Sequence, residues 1–274
     1  MKTNTNTLIN GLPGDQISVL DRGFQYGDGV FETIALKNGM LLYWDEHLKR
    51  LIKGCERLYI PVPDTNLLLQ DAQTLCSGVD KGVIKIIISR GLGGRGYQQP
   101  DPAMPTRVVR LHSTKNYPQS NWVDGVNVII CESVLGTNKQ LAGLKHLNRL
   151  EQILARNEWS DVNVAEGIML DSHNNVIEGT STNVFIVSDG EILTPDLENC
   201  GVEGVMRAIV MKIIASTQFS CKVSEIPLSK FLGADEVFLT NSLIGIWPVK
   251  KVDNVALSVG PISQLLWKKL QNNF

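Results

Sequence analysis

The chain has 274 residues, of which 26 are lysine or arginine and 28 are aspartate or glutamate, for a net charge of −2. Hydrophobic residues make up 43% and charged residues 20%, proportions that are typical of a packed globular protein and not of a disordered one. The charge balance excludes the strongly basic surface with which proteins bind nucleic acid. The length predicts one large or two ordinary domains.

The cysteines, the histidines and the apolar runs further restrict the class of protein. The five cysteines and four histidines form no C-x-x-C or H-E-x-x-H spacing, so neither a disulfide framework nor a metal site is predicted. The start, Met1–Thr7, is polar, and no apolar run approaches the length of a membrane span. We therefore expect no secretory signal and no membrane partner. Scattered cysteines favour reduced thiols and a cytoplasmic location.

Strands and helices alternate in the first half. Apolar and polar residues alternate over 30–36 as in a strand, and apolar residues recur at helical spacing over 44–59, before Pro61. Further predicted elements in this half are a helix at 66–76 and strands at 83–89 and 107–112. The polar, proline-interrupted segment 116–122 is typical of a linker. We therefore predict a small first domain at 1–115.

The second half, 123–274, is predicted to be a larger domain of strands and helices. A strand at 126–131 precedes a predicted helix at 146–159. The other predicted elements are strands at 166–170, 183–187, 236–240 and 246–252 and helices at 204–215 and 262–270. This order predicts two α/β or α+β domains, and a cleft between domains is a common place for a ligand site.

Lys145 lies in the segment 141–152, where a glycine-containing apolar stretch gives way to a polar, helix-prone one. Apolar surroundings lower the pKa of a lysine, because desolvation disfavours the ammonium. The neutral amine is a nucleophile that forms a Schiff base with a carbonyl. The alternative is a surface lysine whose stem lies along apolar neighbours.

Three places offer donors for a phosphate. The Arg50 guanidinium can bind a phosphate with two N–H groups, although its helical spacing from Glu46 also favours an exposed ion pair. Glycine and small residues over 201–207 precede a predicted helix, whose first amides either bind an anion or are simply capped. The segment 240–242 ends a strand, and its hydroxyls are either ligands or part of a turn.

Glu178 and the loop 89–97 are candidates for recognising other groups. A buried carboxylate at Glu178 could hydrogen-bond a pyridine nitrogen and keep it protonated, whereas the alternative is a solvated turn residue. The loop carries two arginines and a tyrosine among glycines, but it matches neither a P-loop nor a dinucleotide-binding pattern. It is either a flexible connection between two strands or a mobile loop that binds carboxylates.

Together these residues resemble the fold-type IV family of pyridoxal-phosphate enzymes, which includes the branched-chain and D-amino acid aminotransferases. The segment 21–29 marks the family broadly, and the resemblance extends from there to 240–241. It implies an α/β (α+β) architecture of two domains with pyridoxal 5'-phosphate at the domain interface. It also implies a homodimer that acts on a small-molecule substrate.

The resemblance assigns cofactor-binding roles to matching positions. Lys145 matches the catalytic Schiff-base lysine, Arg50 the phosphate-binding arginine and Glu178 the partner of the pyridine nitrogen. Further phosphate contacts are implied for Val205, Met206 and Thr240.

The segments 89–97 and 141–152 resemble the lyase members of the family more than the aminotransferases. They imply conversion of 4-amino-4-deoxychorismate to 4-aminobenzoate and pyruvate in folate biosynthesis. Phe31 stands where D-amino acid aminotransferases use a tyrosine that helps to bind a carboxylate, which counts against their activity. A D-amino acid or branched-chain aminotransferase on the same fold is the alternative.

Two carboxylates on such a substrate need cationic partners. Arg95 and Tyr97 match a loop that, in related aminotransferases, reaches the substrate carboxylate from the neighbouring subunit. Arg95 is therefore the first candidate for a substrate contact, and Arg90 and Arg107 are lesser ones.

Overall fold

The computed structural model describes residues 6–271, so most of the polar start discussed above lies outside the described residues. By their contacts the residues up to Lys115, together with Leu144–Asn148, form one compact unit, and Asn116–Gly143 with the residues from Arg149 onward form a second. No helix in the described range is both long and apolar enough to cross a membrane.

The first unit is built on an antiparallel sheet with the strand order β2-β1-β6-β5-β3-β4. Its elements are β1 (Thr7–Ile9), β2 (Leu12–Pro13), α1 (Arg22–Tyr26), β3 (Gly29–Lys37), β4 (Met40–Leu41), α2 (Trp44–Arg57), α3 (Thr65–Cys76), β5 (Gly82–Ser89) and β6 (Thr106–His112). The strands and helices predicted for this half are confirmed within one or two residues at their ends.

Strand β3 shows why this sheet has one buried face. Val30 and Ile34 are almost fully buried and pack in one cluster with Leu51 of α2 and Leu68 of α3. Alternate residues of a strand point to opposite faces, so Phe31, Thr33 and Ala35 lie on the other face, where they are half-buried. The helices therefore cover one face of the sheet.

The segment Leu144–Asn148 attaches to the edge of β3. The Phe31 amide donates to the Lys145 carbonyl at 2.9 Å, and the Leu147 amide donates to the Gly29 carbonyl at 3.0 Å. These bonds hold the segment extended, so the helix predicted from residue 146 begins only at Leu150. The same bonds group the segment with the first unit, whereas the domain prediction placed it within 123–274.

The second unit contains a larger mixed sheet. Its elements are α4 (Ser120–Val123), β7 (Val126–Ile130), α5 (Leu150–Arg156), β8 (Val164–Leu170), β9 (Val176–Gly179), β10 (Asn183–Ser188), β11 (Glu191–Pro195), α6 (Val205–Ala215), β12 (Cys221–Ser224), α7 (Leu228–Leu232), β13 (Glu236–Asn241), β14 (Gly245–Val252), β15 (Val255–Ala256) and α8 (Pro261–Gln271). The order is β12-β11-β10-β13-β14-β7-β8-β9, and β9 also pairs with β10. That last pairing closes six strands into a ring.

The segment predicted to be a linker, 116–122, packs in this second unit. Tyr117 and Trp122 lie against its apolar core, and the indole N–H of Trp122 donates to the Ile244 carbonyl at 2.8 Å. The Tyr117 ring also meets Trp247 edge to face, with centroids 4.8 Å apart. The linker was predicted from the polar composition of the segment, but its two aromatic side chains attach it to the core of the second unit.

Candidate active site

Lys145 lies beside β3 with its side chain against Phe31. Its Nζ is 4.5 Å from the centroid of the Phe31 ring, and the Nζ of Lys85 is 5.2 Å from the same centroid. Both distances are within the range of cation–π attraction. The Lys145 amine, itself part of a half-buried side chain, therefore has an apolar aromatic wall on one side.

Arg50 binds a buried carboxylate of β3, on the face of the strand opposite to Phe31. Its Nε and Nη2 donate to the two carboxylate oxygens of Glu32 at 2.7 and 2.6 Å. The Nδ1 of His47 lies 2.6 Å from Glu32 Oε2. Burial alone raises the pKa of Glu32, but Arg50 and His47 lower it to about 2. Arg50 is therefore mostly buried, with 13% of its side chain exposed. The alternative interpretation, an exposed ion pair with Glu46 on the helix surface, does not describe this residue.

Sequence reasoning assigned no role to Glu32, yet the signal was present. Glu32 has the same parity along β3 as Val30 and Ile34, so the strand alternation places its carboxylate on the buried face. A buried carboxylate needs a cationic or hydrogen-bonding partner. A charged residue at a core position of a predicted strand therefore predicts an arginine, lysine or histidine nearby, and here α2 supplies both Arg50 and His47.

Glu178 occupies the second unit, at the end of β9. Its carboxylate is buried, and Oε2 accepts the Val202 amide at 2.8 Å. Burial lowers the pKa of the Arg149 guanidinium, and the negative charges of Glu178 and Glu151 oppose that shift. Glu178 is thus a buried acid within the electrostatic range of an arginine, and the solvated-turn alternative is wrong.

Asn183 also holds the segment before α6. Its amide nitrogen donates to the Val202 carbonyl at 2.9 Å, and any side chain at Gly204 would overlap its amide oxygen. Gly204 is the residue before α6, and no side chain caps the helix among the described residues. The amides of Val205 and Met206 therefore open the helix without a side-chain cap, as an anion site requires.

Two buried hydroxyls lie near these groups in the fold of the second unit. Within residues 6–271, the Oγ1 atoms of Thr182 and Thr240 have no hydrogen-bond partner. Thr240 pairs across the sheet with Asn183, which is the residue that holds the start of α6. Buried hydroxyls normally have hydrogen-bond partners, so these two O–H groups can donate to a ligand. Together with the first amides of α6 they fit the phosphate of pyridoxal phosphate, and the Glu178 carboxylate fits its ring nitrogen.

Glu166 fixes the loop that follows Glu178. Its buried carboxylate accepts the Ser181 amide at 3.1 Å, the Ser181 hydroxyl at 2.7 Å and the Thr180 hydroxyl. Sequence reasoning did not single out Glu166, because it lies inside an apolar strand. Its position among buried residues of β8 was the available signal.

Of the arginines considered for substrate carboxylates, two are paired with acids of the first unit. Arg90 donates to both carboxylate oxygens of Asp28 at 2.7 and 2.9 Å, and Arg107 donates to Asp71 at 2.6 Å. Arg95 is exposed, as is 85% of Tyr97. Arg95 therefore remains the candidate for a contact with substrate.

Each unit thus brings part of the predicted set together. In the first unit, Lys145 and Arg50 contact consecutive β3 residues, Phe31 and Glu32, on opposite faces. In the second unit, Glu178 binds the segment that leads into α6, and Thr240 pairs with the residue that holds this segment.

Comparison with known proteins identifies relatives over nearly the whole chain. The family model described as amino-transferase class IV matches residues 29–252. The aminodeoxychorismate lyase of Vibrio harveyi is 38% identical over 266 residues, which are 97% of this chain and 98% of that protein. The D-alanine aminotransferase of Listeria innocua is 28% identical, covering 89% of this chain and 85% of its own.

Solved structures give the same result. The 4-amino-4-deoxychorismate lyase of Pseudomonas aeruginosa superimposes with a TM-score of 0.94 at 42% identity, covering 98% of this chain and 99% of its own. The branched-chain amino acid aminotransferase of Escherichia coli, at 21% identity, shares the fold with a TM-score of 0.89 over 98% of this chain and 94% of its own. The predicted α/β (α+β) fold of the fold-type IV enzymes is confirmed.

Proposed function

The chain belongs to the amino-transferase class IV family, and from that premise we propose that it is a pyridoxal-phosphate-dependent lyase. It would convert 4-amino-4-deoxychorismate to 4-aminobenzoate and pyruvate in folate biosynthesis. The observation that carries this choice is full-length similarity to two lyases at 38% and 42% identity, against 28% for a D-alanine aminotransferase.

The proposed cofactor contacts are those that the family resemblance implies. Pyridoxal phosphate, when bound, supplies an aldehyde for the lysine and a ring that accepts an electron pair. Arg50, the amides of Val205 and Met206 and the Thr240 hydroxyl donate to the phosphate. The Glu178 carboxylate holds a proton at the pyridine nitrogen.

Lys145 is the proposed catalytic base and acid. Its amine takes the proton from C4 of the substrate ring, and the resulting ammonium donates a proton to the oxygen of the departing enolpyruvyl group. A positioned proton-transfer group of this kind contributes roughly 10²- to 10⁴-fold in rate. Phe31 packs beside the amine and excludes water from that side, and formation of an aromatic ring makes the elimination downhill.

A homodimer would bring a second copy to the first unit, as the family resemblance implies. Several apolar side chains of this unit are more than half exposed, among them Leu20, Phe24, Leu92 and Met104. A groove of about 640 Å³ also lies along the sheet of this unit, lined in part by Phe24. Exposed apolar surface of this kind is typical of an interface. We expect light scattering to give twice the chain mass, whereas the mass of one chain would contradict the dimer.

A cytoplasmic location is part of the same proposal. All five cysteines are free thiols in the structure, and such thiols are typical of a reducing compartment. Fractionation of the native organism, with the chain detected by antibody, tests this. Recovery of the chain from the cell exterior would contradict it.

Pyruvate release without an added keto acid is the decisive assay. The lyase releases pyruvate and 4-aminobenzoate from its substrate alone, whereas an aminotransferase requires an amino acceptor. We expect equal amounts of both products from the holoenzyme. Lys145→Ala should lower the rate by at least about 10³-fold and abolish the absorption band of the lysine-bound cofactor. Turnover that depends on a keto acid would instead establish the aminotransferase alternative.

A further inference from the structure

Arg22 connects two sequence motifs that the resemblance treats separately. It lies at the start of α1, and its side chain is almost fully buried. Its guanidinium donates to three consecutive backbone carbonyls of the loop before β6. The three bonds are Nη1 to the Gly96 carbonyl at 3.1 Å, Nη1 to the Gln98 carbonyl at 3.3 Å and Nη2 to the Tyr97 carbonyl at 3.3 Å.

Asp28 and Arg90 hold Arg22 in this orientation. The Nε of Arg22 donates to Asp28 Oδ2 at 2.8 Å, and the same carboxylate binds Arg90 through two bonds. Arg90 in turn donates to the carbonyls of Leu58 and Tyr59 at 2.7 Å each. Burial alone raises the pKa of Asp28, but Arg90 and Arg22 lower it. The loop is therefore bound to a charged cluster that reaches the end of α2.

Packing around Arg22 explains one glycine of the loop. A methyl group at Gly93 would lie 2.6 Å from Cδ of Arg22, which is much closer than two carbon atoms can approach. On the other side, the Arg22 guanidinium lies 5.0 Å from the centroid of the Tyr26 ring, and that ring meets Tyr97 edge to face at 5.7 Å. Arg22 therefore contacts the loop both before and after Arg95.

We propose that Arg22 is a positioning residue for substrate binding, because it fixes the backbone of 96–98 and so directs the exposed Arg95 side chain towards a substrate carboxylate. This inference rests on the proposed function, in which Arg95 is the substrate contact. A glycine-rich loop that is ordered before binding loses less conformational entropy when the substrate binds. A lysine cannot replace Arg22, since one ammonium does not span three carbonyls and a carboxylate.

Trypsin cleavage after Arg95 tests whether Arg22 fixes the loop. We expect Arg22→Met to accelerate cleavage of the 95–96 bond in the holoenzyme at least tenfold, followed by mass spectrometry, and Arg22→Lys to give an intermediate rate. Arg107→Met is the matched control, because it removes the guanidinium of another buried ion pair, with Asp71. Its cleavage rate at this bond should stay within twofold of the unmodified enzyme. An unchanged rate in both Arg22 variants would overturn the inference.

Steady-state kinetics test the link to substrate. In Arg22→Met we expect KM to rise about tenfold and kcat to change less than threefold, with unchanged affinity for pyridoxal phosphate. Arg22→Lys, which retains the charge, covers the case in which the methionine variant does not fold. Faster cleavage with an unchanged KM in both variants would contradict the substrate role. If the unmodified enzyme releases no pyruvate, the proposed function fails, while the cleavage assay still decides whether Arg22 holds the loop.

Discussion

The buried acids of the first unit and two buried hydroxyls of the second unit differ in whether the protein itself supplies their partners. In the first unit, three acids, Asp28, Glu32 and Asp71, are each bound to an arginine of the same unit. In the second, two buried hydroxyls, Thr182 and Thr240, have no partner within the described part of the chain. The three acids of the first unit are thus paired within it, whereas the second unit contains buried hydroxyls that its own groups do not bind.

This difference predicts where a substitution acts. Removing a charge from the first unit leaves another buried charge without its partner, so folding stability should fall. Removing an unpaired hydroxyl from the second unit leaves no protein group unsatisfied, so the loss should appear only when a ligand binds. Substitutions of these two kinds should therefore affect different measurements.

Glu32→Gln should have the largest effect on stability. It preserves shape but leaves Arg50 and His47 without the carboxylate, so we expect the free energy of unfolding of the cofactor-free protein to fall by about 3–5 kcal/mol. Urea denaturation measures this. Glu191→Gln is the control, because its pair with Lys222 is exposed and 3.7 Å long, and it should cost about 0.5 kcal/mol or less. Equal losses in the two variants would contradict the comparison.

Lowering the pH should gradually remove the contribution of the Glu32 carboxylate to folding stability. The pKa of Glu32 is about 2 in the folded protein against 4.5 for the free group. Because the folded value is the lower one, the stabilisation is complete above about pH 4.5 and is lost as the pH falls towards 2. The loss amounts to roughly 3 kcal/mol at most. Denaturation curves between pH 6 and 2 test this, and Glu32→Gln should show a shallower pH dependence than the unmodified protein.

Glu178→Gln should affect turnover more than folding. Glutamine keeps an oxygen for the Val202 amide but removes the negative charge that would hold a proton on the pyridine nitrogen. We expect the cofactor to remain bound and kcat for pyruvate release to fall about 100-fold. Unchanged turnover would mean that the ring nitrogen requires no carboxylate here.

Thr240→Val should have the smallest effect. The free energy of unfolding of the cofactor-free protein should change by less than about 1 kcal/mol, whereas the Kd for pyridoxal phosphate should rise about fivefold to tenfold. Thr194→Val is the matched control, because its buried hydroxyl donates to the Val184 carbonyl at 2.9 Å. The control should lose stability and keep its cofactor affinity. The opposite pattern would show that Thr240 serves the fold.

Much of the fold follows from the sequence because its segments are strongly periodic. The strand at 30–36 and the helix at 204–215 are confirmed as β3 and α6. The helix predicted over 44–59 ends two residues earlier, at Arg57, because Tyr59 has a left-handed backbone with φ 53° that an α-helix cannot continue through. The carbonyls of Leu58 and Tyr59 bind Arg90 instead of amides of a further helical turn. Where local pattern and tertiary bonds disagree, the tertiary bonds decide.

The candidate site, like the fold, could be predicted from the sequence only in part. The resemblance supplied the residues that are proposed to contact cofactor and substrate, such as Lys145 and Glu178, because they lie in recognisable motifs. It assigned no role to Arg22, Glu32 or Glu166, which act on other parts of the protein. Glu32 is 18 residues from Arg50, and Arg22 is 74 to 76 residues from the carbonyls it binds. A local pattern can mark one member as buried, as the alternation of β3 does for Glu32, but it does not identify the partner.

The attachment of Leu144–Asn148 to β3 has a consequence for dividing the chain. If the gene were split after codon 115, β3 would be on one fragment and Lys145 on the other. The lysine would reach Phe31 only when the fragments reassemble, so activity regained on mixing would report complementation.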